Sequence, residues 1–364
     1  MATSADGTRP AVPPSPEVSV SRVRGLAALT EIESEWQALC ARAATPPLFS
    51  AVWIRAHAEA YERDDQLHFV LARVRGRLAA VLPLVLERAW FRGLPIRKLR
   101  SAAGKACLRF DLSADAELWT DAVARALLQH LAQWKAWAVL ELRDVPADGR
   151  VRELQRVAAA AGFPCDRWNG AQSPWVALAT FQPGSNLRHK LRRTRRRLEE
   201  LGAVRFEAVD QADPERLQEL FRLEAAGWKG RRGGNAVLRK GERQRRFYLE
   251  LARHAAAQGN LVLHRLCCGE RTVASSFSLR TRETCHAVKW CYDEAFSKYS
   301  PGHLLIESII GECQERGMGC FDFTGPDYPY KREWTQQRLD HAFLYVFRPG
   351  PVGAILRRLN IHWS

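Results

Sequence analysis

No apolar run in this sequence of 364 residues approaches the roughly 18–20 residues that a membrane-spanning helix needs. The longest, Leu78–Leu86, has the length of a buried strand. The opening residues, MATSADGTRPAVPPSPE, lack the basic-then-apolar layout of an export signal, and their Pro, Ser and Thr content predicts a disordered leader over residues 1–17. The expected location is therefore cytoplasmic. The nine cysteines are odd in number and form no C-x-x-C pair, so neither a disulfide framework nor a zinc knuckle is indicated. His264-x-x-Cys267-Cys268 has the residue types of a ligand cluster, but on a strand its members point to both faces, and no metal is expected. Ser-His-Asp and Cys-His arrays for a covalent mechanism are also lacking.

Acidic residues are in the minority. Forty Asp and Glu face 55 Lys and Arg, giving a formal charge of +15 and a pI near 9.8, which implies attraction to an anionic partner. The charge is concentrated. In 188-RHKLRRTRRR-197 seven of ten residues are Arg or Lys, while Leu187, Leu191, Leu198 and Leu201 fall on one helical face. A docked leucine stripe with an outward basic face is the natural reading. Arg192 and Arg196 are its candidate contacts to a phosphorylated or lipid-linked acceptor, a phosphate of the donor, an anionic membrane surface or tRNA. No DNA-recognition motif accompanies the run, so DNA is not an expected partner.

Hydrophobic periodicity gives the same order of elements twice. The first pass has a strand (18–23), helices at 30–43 and 51–61, and an extended pair, 69-FVLARVRGRLAAVLPLVL-86, turning at Arg75-Gly76. Further extended chain, a helix (116–134), a strand (137–142), a helix (150–161) and a strand near 175–178 follow. The second pass has a strand (204–209), a helix opened by Asp213-Pro214 and a helix around 242–257. The pair 261-LVLHRLCCGERTVASSFSL-279, a run at 285–292, a helix after Ser300, and strands at 320–323 and 340–347 complete it. The two hairpin stretches align with one insertion. The expected fold class is α/β (α+β), with two tandem domains, 18–178 and 179–348, each a mixed, mostly antiparallel sheet flanked by helices, followed by a tail, 349–364.

The helix after 299-YSPG-302 has a bare entrance. Ser300 as N-cap, Pro301 at the first helical position and Gly302 next leave room for an anion to reach unpaired N–H groups. The order of elements resembles that of the GNAT N-acyltransferase superfamily. At residue level, 186-NLRHKLRRTRRRLEELG-202, Trp228, Asp293 with YSPG six residues on, 321-FD-322, Gly325, 330-YK-331 and Trp334 resemble an acetyltransferase family that includes CelD-type cellulose-biosynthesis proteins. That family is related to the Fem-type aminoacyltransferases, which hold two such domains in tandem. The likeness runs over roughly residues 20–348 and is densest from Ser173 to Trp334.

The resemblance implies an acyltransferase that uses acetyl-CoA or another acyl-CoA, with the donor held by Lys298, Tyr299, Ser300, Gly302, His303 and Leu304. The corresponding entrance of the first copy, 113-SADAE-117, puts Asp115 and Glu117 in the first turn, where they would repel phosphate. The first copy is thus expected to be degenerate and to wall the acceptor cleft. Direct transfer needs a base and a proton donor for the leaving thiolate. Asp293 and Asp322 are the candidate bases, and Tyr330 is a candidate donor beside Tyr299 and Tyr328. Trp228, Lys229, Trp290 and Lys331 are candidates for binding a small-molecule or carbohydrate acceptor, with 229-KGRRGGN-235 as a loop over the cleft. The expected substrate is an amine or hydroxyl on a sugar or a cell-envelope or exopolysaccharide precursor. Two other readings stay open: an aminoacyl-tRNA-dependent Fem-type transferase, and a non-catalytic polyanion-binding module of an exopolysaccharide machinery.

Overall fold

The computed structural model describes residues 17–104, 107–231 and 236–361. Its first half runs β1 (Val18–Arg24), α1 (Gly25–Arg42), α2 (Ala51–Tyr61), β2 (Leu67–Val74), β3 (Arg77–Phe91), β4 (Leu94–Ser101), β5 (Ser113–Ala114), α3 (Asp121–Gln133), β6 (Val139–Pro146), α4 (Arg150–Ala160) and β7 (Cys165–Ala177). Its second half runs α5 (Ser185–Glu199), β8 (Val204–Val209), α6 (Pro214–Ala226), α7 (Trp228–Arg231), α8 (Val237–Lys240), α9 (Glu242–Ala257), β9 (Leu261–Cys268), β10 (Arg271–Arg280) and β11 (Thr284–Tyr292). A short 3-10 helix (Glu294–Tyr299), α10 (Pro301–Glu315), β12 (Cys320–Asp322), α11 (Pro329–Arg332), β13 (Arg338–Phe347) and α12 (Pro351–Ile361) follow. The leader falls almost wholly outside the described residues.

The strands form one mixed sheet in the order β1-β2-β3-β4-β6-β13-β7-β12-β11-β10-β9-β8, with β5 added beside β3. Four antiparallel strands lead each half inward from its edge, and a parallel pair follows in each, β4 with β6 and β11 with β12. The repeat read from the sequence is thus a repeat of topology. The halves are interlocked by their last strands. β13, the end of the second pass, pairs with β6, and β7, the end of the first, pairs with β12. The two exchanged strands meet in the middle of the sheet, where they pair with each other.

Helices cover both faces, and the largest apolar cluster draws on both halves. Phe247 of α9 stands edge-on to Trp53 of α2, with ring centroids 5.1 Å apart, and both side chains are fully buried. Side chains of this size are worth about 1.5–3 kcal/mol each on burial, so the contact between the halves is part of the core rather than a surface seam.

Several elements begin where the periodicity places them: α2, β8, α9 and the hairpin turn at Arg75-Gly76, where both residues have positive φ. Two do not. β7 starts at Cys165, about ten residues before the strand expected near 175, because 165-CDRWNGAQS-173 carries little apolar alternation and is held by backbone pairing to β13. The helix expected from Ala116 begins only at Asp121. Residues 115–119 make one turn closed by the Trp119 amide donating to the Asp115 carbonyl, and Thr120 is then extended and caps α3. Asp115 is buried against Arg42 and Arg77, away from the helix entrance.

Strand exchange predicts that neither half folds alone. A fragment ending at residue 178 lacks the strand between β6 and β7, so it should lose cooperative thermal unfolding by circular dichroism while the full chain melts in one transition. A sharp, independent melt of that fragment would contradict the interlock.

Candidate active site

The site begins where two strands part. β11 and β12 pair in parallel only over Thr284–His286 and Cys320–Asp322. Beyond Asp322 the chain leaves the sheet through Thr324 and Gly325, both at positive φ, and Pro326. Thr324 donates its hydroxyl hydrogen to the Ala287 carbonyl at 2.6 Å, which ties this turn to the point of divergence. On its other side β11 carries a bulge. Phe277 faces Lys289 and Ser278 faces Ala287, so Val288 is an extra residue without a partner in the ladder. Between the parted segments lies a cavity of about 670 Å³.

The start of α10 forms one wall. Ser300, Pro301, Gly302 and His303 all line the cavity. Ser300 is the N-cap residue, yet its backbone is left-handed (φ 50°, ψ 47°) and its side chain caps nothing. For a residue with a Cβ that conformation costs about 1–2 kcal/mol. The His303 and Leu304 amides turn back to the Ser300 carbonyl, and the Gly302 N–H has no partner among the described residues. A Cβ at Gly302 would meet the Tyr292 ring at 3.3 Å, so glycine lets the helix start lie against that ring. The entrance is therefore bare, with the positive end of the helix dipole open to the cavity. The matching entrance in the first half is closed by its own side chains. Thr120 accepts from the Val123 amide, and Asp121 in the first turn is paired with Arg156.

Facing this wall are aromatic and cationic groups. Trp290 stands edge-on to Phe323 and to Tyr330, with centroids 5.5 and 5.9 Å apart. Trp228 is exposed at the rim. Burial pushes the Tyr330 phenol well above its ordinary value, so it stays protonated and is able to donate. Burial, then the charge of Lys190, lowers the His303 imidazole against the pull of Glu333, which leaves the ring neutral near pH 7. Burial raises the Cys291 thiol to about 12, which removes it as a nucleophile. Glu224, Lys229 and Lys289, with Leu108 from the first half, also line the cavity.

The expected site residues divide. Ser300, Gly302, His303, Trp228, Lys229, Trp290, Tyr330 and Lys331 lie on the cavity. Lys331 does not offer its charge there. Its ammonium donates to the carbonyls of Phe323, Thr324 and Pro326 and so holds the turn that opens the site, while burial lowers it to about 8. Tyr299 and Leu304 face the second apolar cluster, Tyr299 lying between Arg197 and Lys298, and Lys298 is on the surface. Asp293 is not placed as a base: it accepts from the Ala295 amide, capping the 3-10 helix, and pairs with Arg271. Asp322 is not either. It shares a face with His286, opposite Phe321 and Phe323, and its carboxylate is held by Arg109 at 2.8 Å and His286 at 3.0 Å. Arg192 and Arg196 are exposed on α5, outside the cavity but on a helix packed against the 3-10 helix and α10. Thr194 replaces Leu201 in the buried stripe of α5, because the helix ends at Glu199 and leaves Leu201 exposed. Of the loop 229–235, residues 232–235 lie outside the described residues.

Sequence reasoning missed Glu224, Lys289, Tyr292 and the Val288 bulge. Lys289 carried a signal: a lone cation inside 285-CHAVKWCY-292 must find a buried partner. The bulge carried none. Among the described residues one group of metal-binding type lies within reach of a common ion, Glu59, Glu250 and His254, and Arg55 and Arg253 already lie against it. His264, taken from the sequence as part of a ligand-like cluster, contacts Ser276 and Glu312 instead.

Residues 185–332, which contain α10, β11 and the opened strands, match the family model of the acetyltransferase (GNAT) domain. The second half carries a GNAT domain. By class the chain is therefore an acyltransferase. None of the curated proteins compared matches it. Among solved structures it is similar in fold to FemX (11% identity, 93% of this chain and 99% of that one, TM-score 0.63). It is similar also to the C-terminal DUF2156 domain of a proposed lysylphosphatidylglycerol synthetase from Agrobacterium fabrum (13%, 92% and 96%, TM-score 0.59). L-PGS from Bacillus licheniformis is a third (15%, 84% and 95%, TM-score 0.53). These likenesses extend over both halves, so the fold they share is that of the whole interlocked sheet and not of the GNAT domain alone.

The Asp322 pocket makes a test of its structural role. Burial works to raise this carboxyl, but Arg109 and then His286 outweigh it and hold it well below the usual carboxylate range. A depressed pKa contributes stability that is present above the unfolded value and lost as pH falls through the folded one. Replacing Arg109 with Met should cost about 3–5 kcal/mol in urea unfolding at pH 7 and move the acid-unfolding limb to higher pH. An unchanged urea midpoint would show that the ion pair does not carry this load.

Proposed function

We propose that this protein transfers an acyl group, most simply acetyl, from acyl-CoA to an amine or hydroxyl of a sugar or cell-envelope precursor, by direct attack with both substrates bound. The observation that carries the reading is the uncapped start of α10 opening into the cavity between β11 and β12. Its free Gly302 amide and helix dipole suit the diphosphate of a CoA thioester. Gly302, Ser300 and His303 would hold that end of the donor, and the acyl end would run along the parted strands. The Val288 backbone, left without a partner residue in the β10–β11 ladder by the bulge, would be the group to polarise a thioester carbonyl. Tyr330, kept protonated by burial, would serve the leaving thiolate. Cysteine chemistry plays no part in this scheme, and Asp293 and Asp322 act as structural groups.

One observation favours a second reading. The exposed Arg192, Arg193 and Arg196 have no carboxylate partner among the described residues and lie on the helix beside the donor entrance. With the FemX-like fold, they support an aminoacyl-tRNA donor in place of acyl-CoA. A tRNA complex whose affinity falls steeply with salt would favour that donor.

Thermal shift separates the two. At about 100 times its Kd, CoA or acetyl-CoA should add about 2.7 kcal/mol of stability and raise Tm by a few degrees. Gly302→Glu places a carboxylate and a side chain in the entrance, so its ligand-free Tm should fall only modestly while the CoA shift disappears. A full shift in that variant would remove the donor from α10.

A further inference from the structure

The cavity has a second polar feature that the donor does not use. Glu224, at the end of α6, is 1% exposed. Its Oε1 lies 2.5 Å from the Lys289 ammonium, and its Oε2 accepts from the Val237 amide at 2.9 Å. Lys229 approaches the same Oε1 at 3.8 Å and donates to the Trp290 carbonyl at 2.9 Å. Two ammonium groups therefore bracket one carboxylate, and all three line the cavity.

The remaining neighbours do not balance the second cation. The Tyr248 ring lies 5.2 Å from the Lys289 ammonium, and the Cys291 thiol is neutral. Glu294, the next carboxylate along, is paired with Arg231. Lys289 satisfies Glu224 by itself. Lys229 is then a surplus positive charge in a largely buried wall, which burial and the nearby Lys289 both disfavour, as the lowered Lys229 pKa records. A desolvated charge of this kind calls for a counter-ion. After the bond of Lys289 to Glu224 and that of Lys229 to the Trp290 carbonyl, each lysine still has N–H groups to offer.

We infer that Lys229 and Lys289 receive a carboxylate of the acceptor, so that the natural acceptor carries an acid group beside the amine or hydroxyl that is acylated. The inference rests on reading the cavity as the acyl-transfer site. A monoanion matches the single surplus charge, whereas a phosphate dianion would leave one charge uncompensated. The donor diphosphate is met elsewhere. Its proposed seat at Gly302 abuts Tyr292, and Lys289 lies three residues back along β11, about 10 Å at the usual rise of a strand. The two anion-binding features thus stand at separate points along one strand, with the bulge at Val288 next to the acceptor end. Trp228 and Trp290 frame that end with flat apolar faces that suit a ring or a short chain.

The test uses the full chain, acetyl-CoA and release of free CoA thiol, with acceptors offered as matched pairs that differ only at the acid: L-alanine and L-alaninamide, L-serine and L-serinamide, 2-amino-2-deoxyglucuronic acid and glucosamine. Two charge-assisted hydrogen bonds predict that at least one acid is acylated about 10- to 100-fold more efficiently than its neutral twin. Lys229→Met leaves the Glu224–Lys289 pair closed, so it should fold normally, keep the CoA-induced rise in Tm, and lose the preference for acids. Lys229→Arg should retain it. If no acid outpaces its neutral partner, with both silent or both active, or if Lys229→Met still prefers acids, the inference is overturned. Absence of any CoA shift in the unaltered protein would instead overturn the acyl-CoA reading beneath it.

Discussion

Everything at the site follows from two strands that pair for three residues and then separate. A parallel pair this short is weak on its own. It persists because β12 is also paired to β7 on its other side, and because the turn after Asp322 is fixed by a buried lysine bound to three carbonyls. The bulge at Val288 twists β11 away at the same level. The cavity is thus a built gap in a continuous sheet. Its floor cannot close without breaking either the Thr324–Ala287 hydrogen bond or the Lys331 network.

Strand exchange explains why the gap is stable in a sheet that long. β7 reaches across from the first half to pair with β12, and β13 returns to pair with β6. Each half supplies the strand next to the other's parallel pair, so opening one half would strip backbone bonds from both. In the first half the helix entrance that matches α10 is closed, and that half gives the cavity Leu108, but its last strand is the wall against which β12 leans. Its contribution to the chemistry is mechanical.

Much of this was legible in the sequence. Alternation and helical periodicity placed β8, α9, β11 and α10 because burial of a face is what periodicity encodes, and α2 because it is an apolar segment buried nearly all round between α1 and α9. The Ser-Pro-Gly entrance was legible for the same reason: Pro301 and Gly302 act locally, through a missing N–H and a missing Cβ. What could not be read depends on partners distant in the chain. The extent of β7 is set by backbone pairing to a strand that follows it by more than a hundred residues. The commitment of Asp322 is set by Arg109, and that of Lys331 by carbonyls whose orientation exists only once Thr324 and Gly325 adopt positive φ. Polar residues were read as functional because they are polar; whether they are free is a question of tertiary structure.

The two halves make this distinction within one molecule. They share an order of strands, a parallel pair and a helix following the fourth strand, yet one helix start is open and the other closed. Closing it takes only a threonine that caps and an aspartate in the first turn. Opening it takes a strained serine whose side chain turns away, and a glycine beside an aromatic ring. These differences are about 1–2 kcal/mol each, small against a core that runs through both halves. A duplicated fold of this kind therefore loses or keeps an anion site through substitutions its scaffold barely registers. The left-handed Ser300 serves both ends at once: it closes the 3-10 helix through its amide to the Ser297 carbonyl and leaves the start of α10 uncapped.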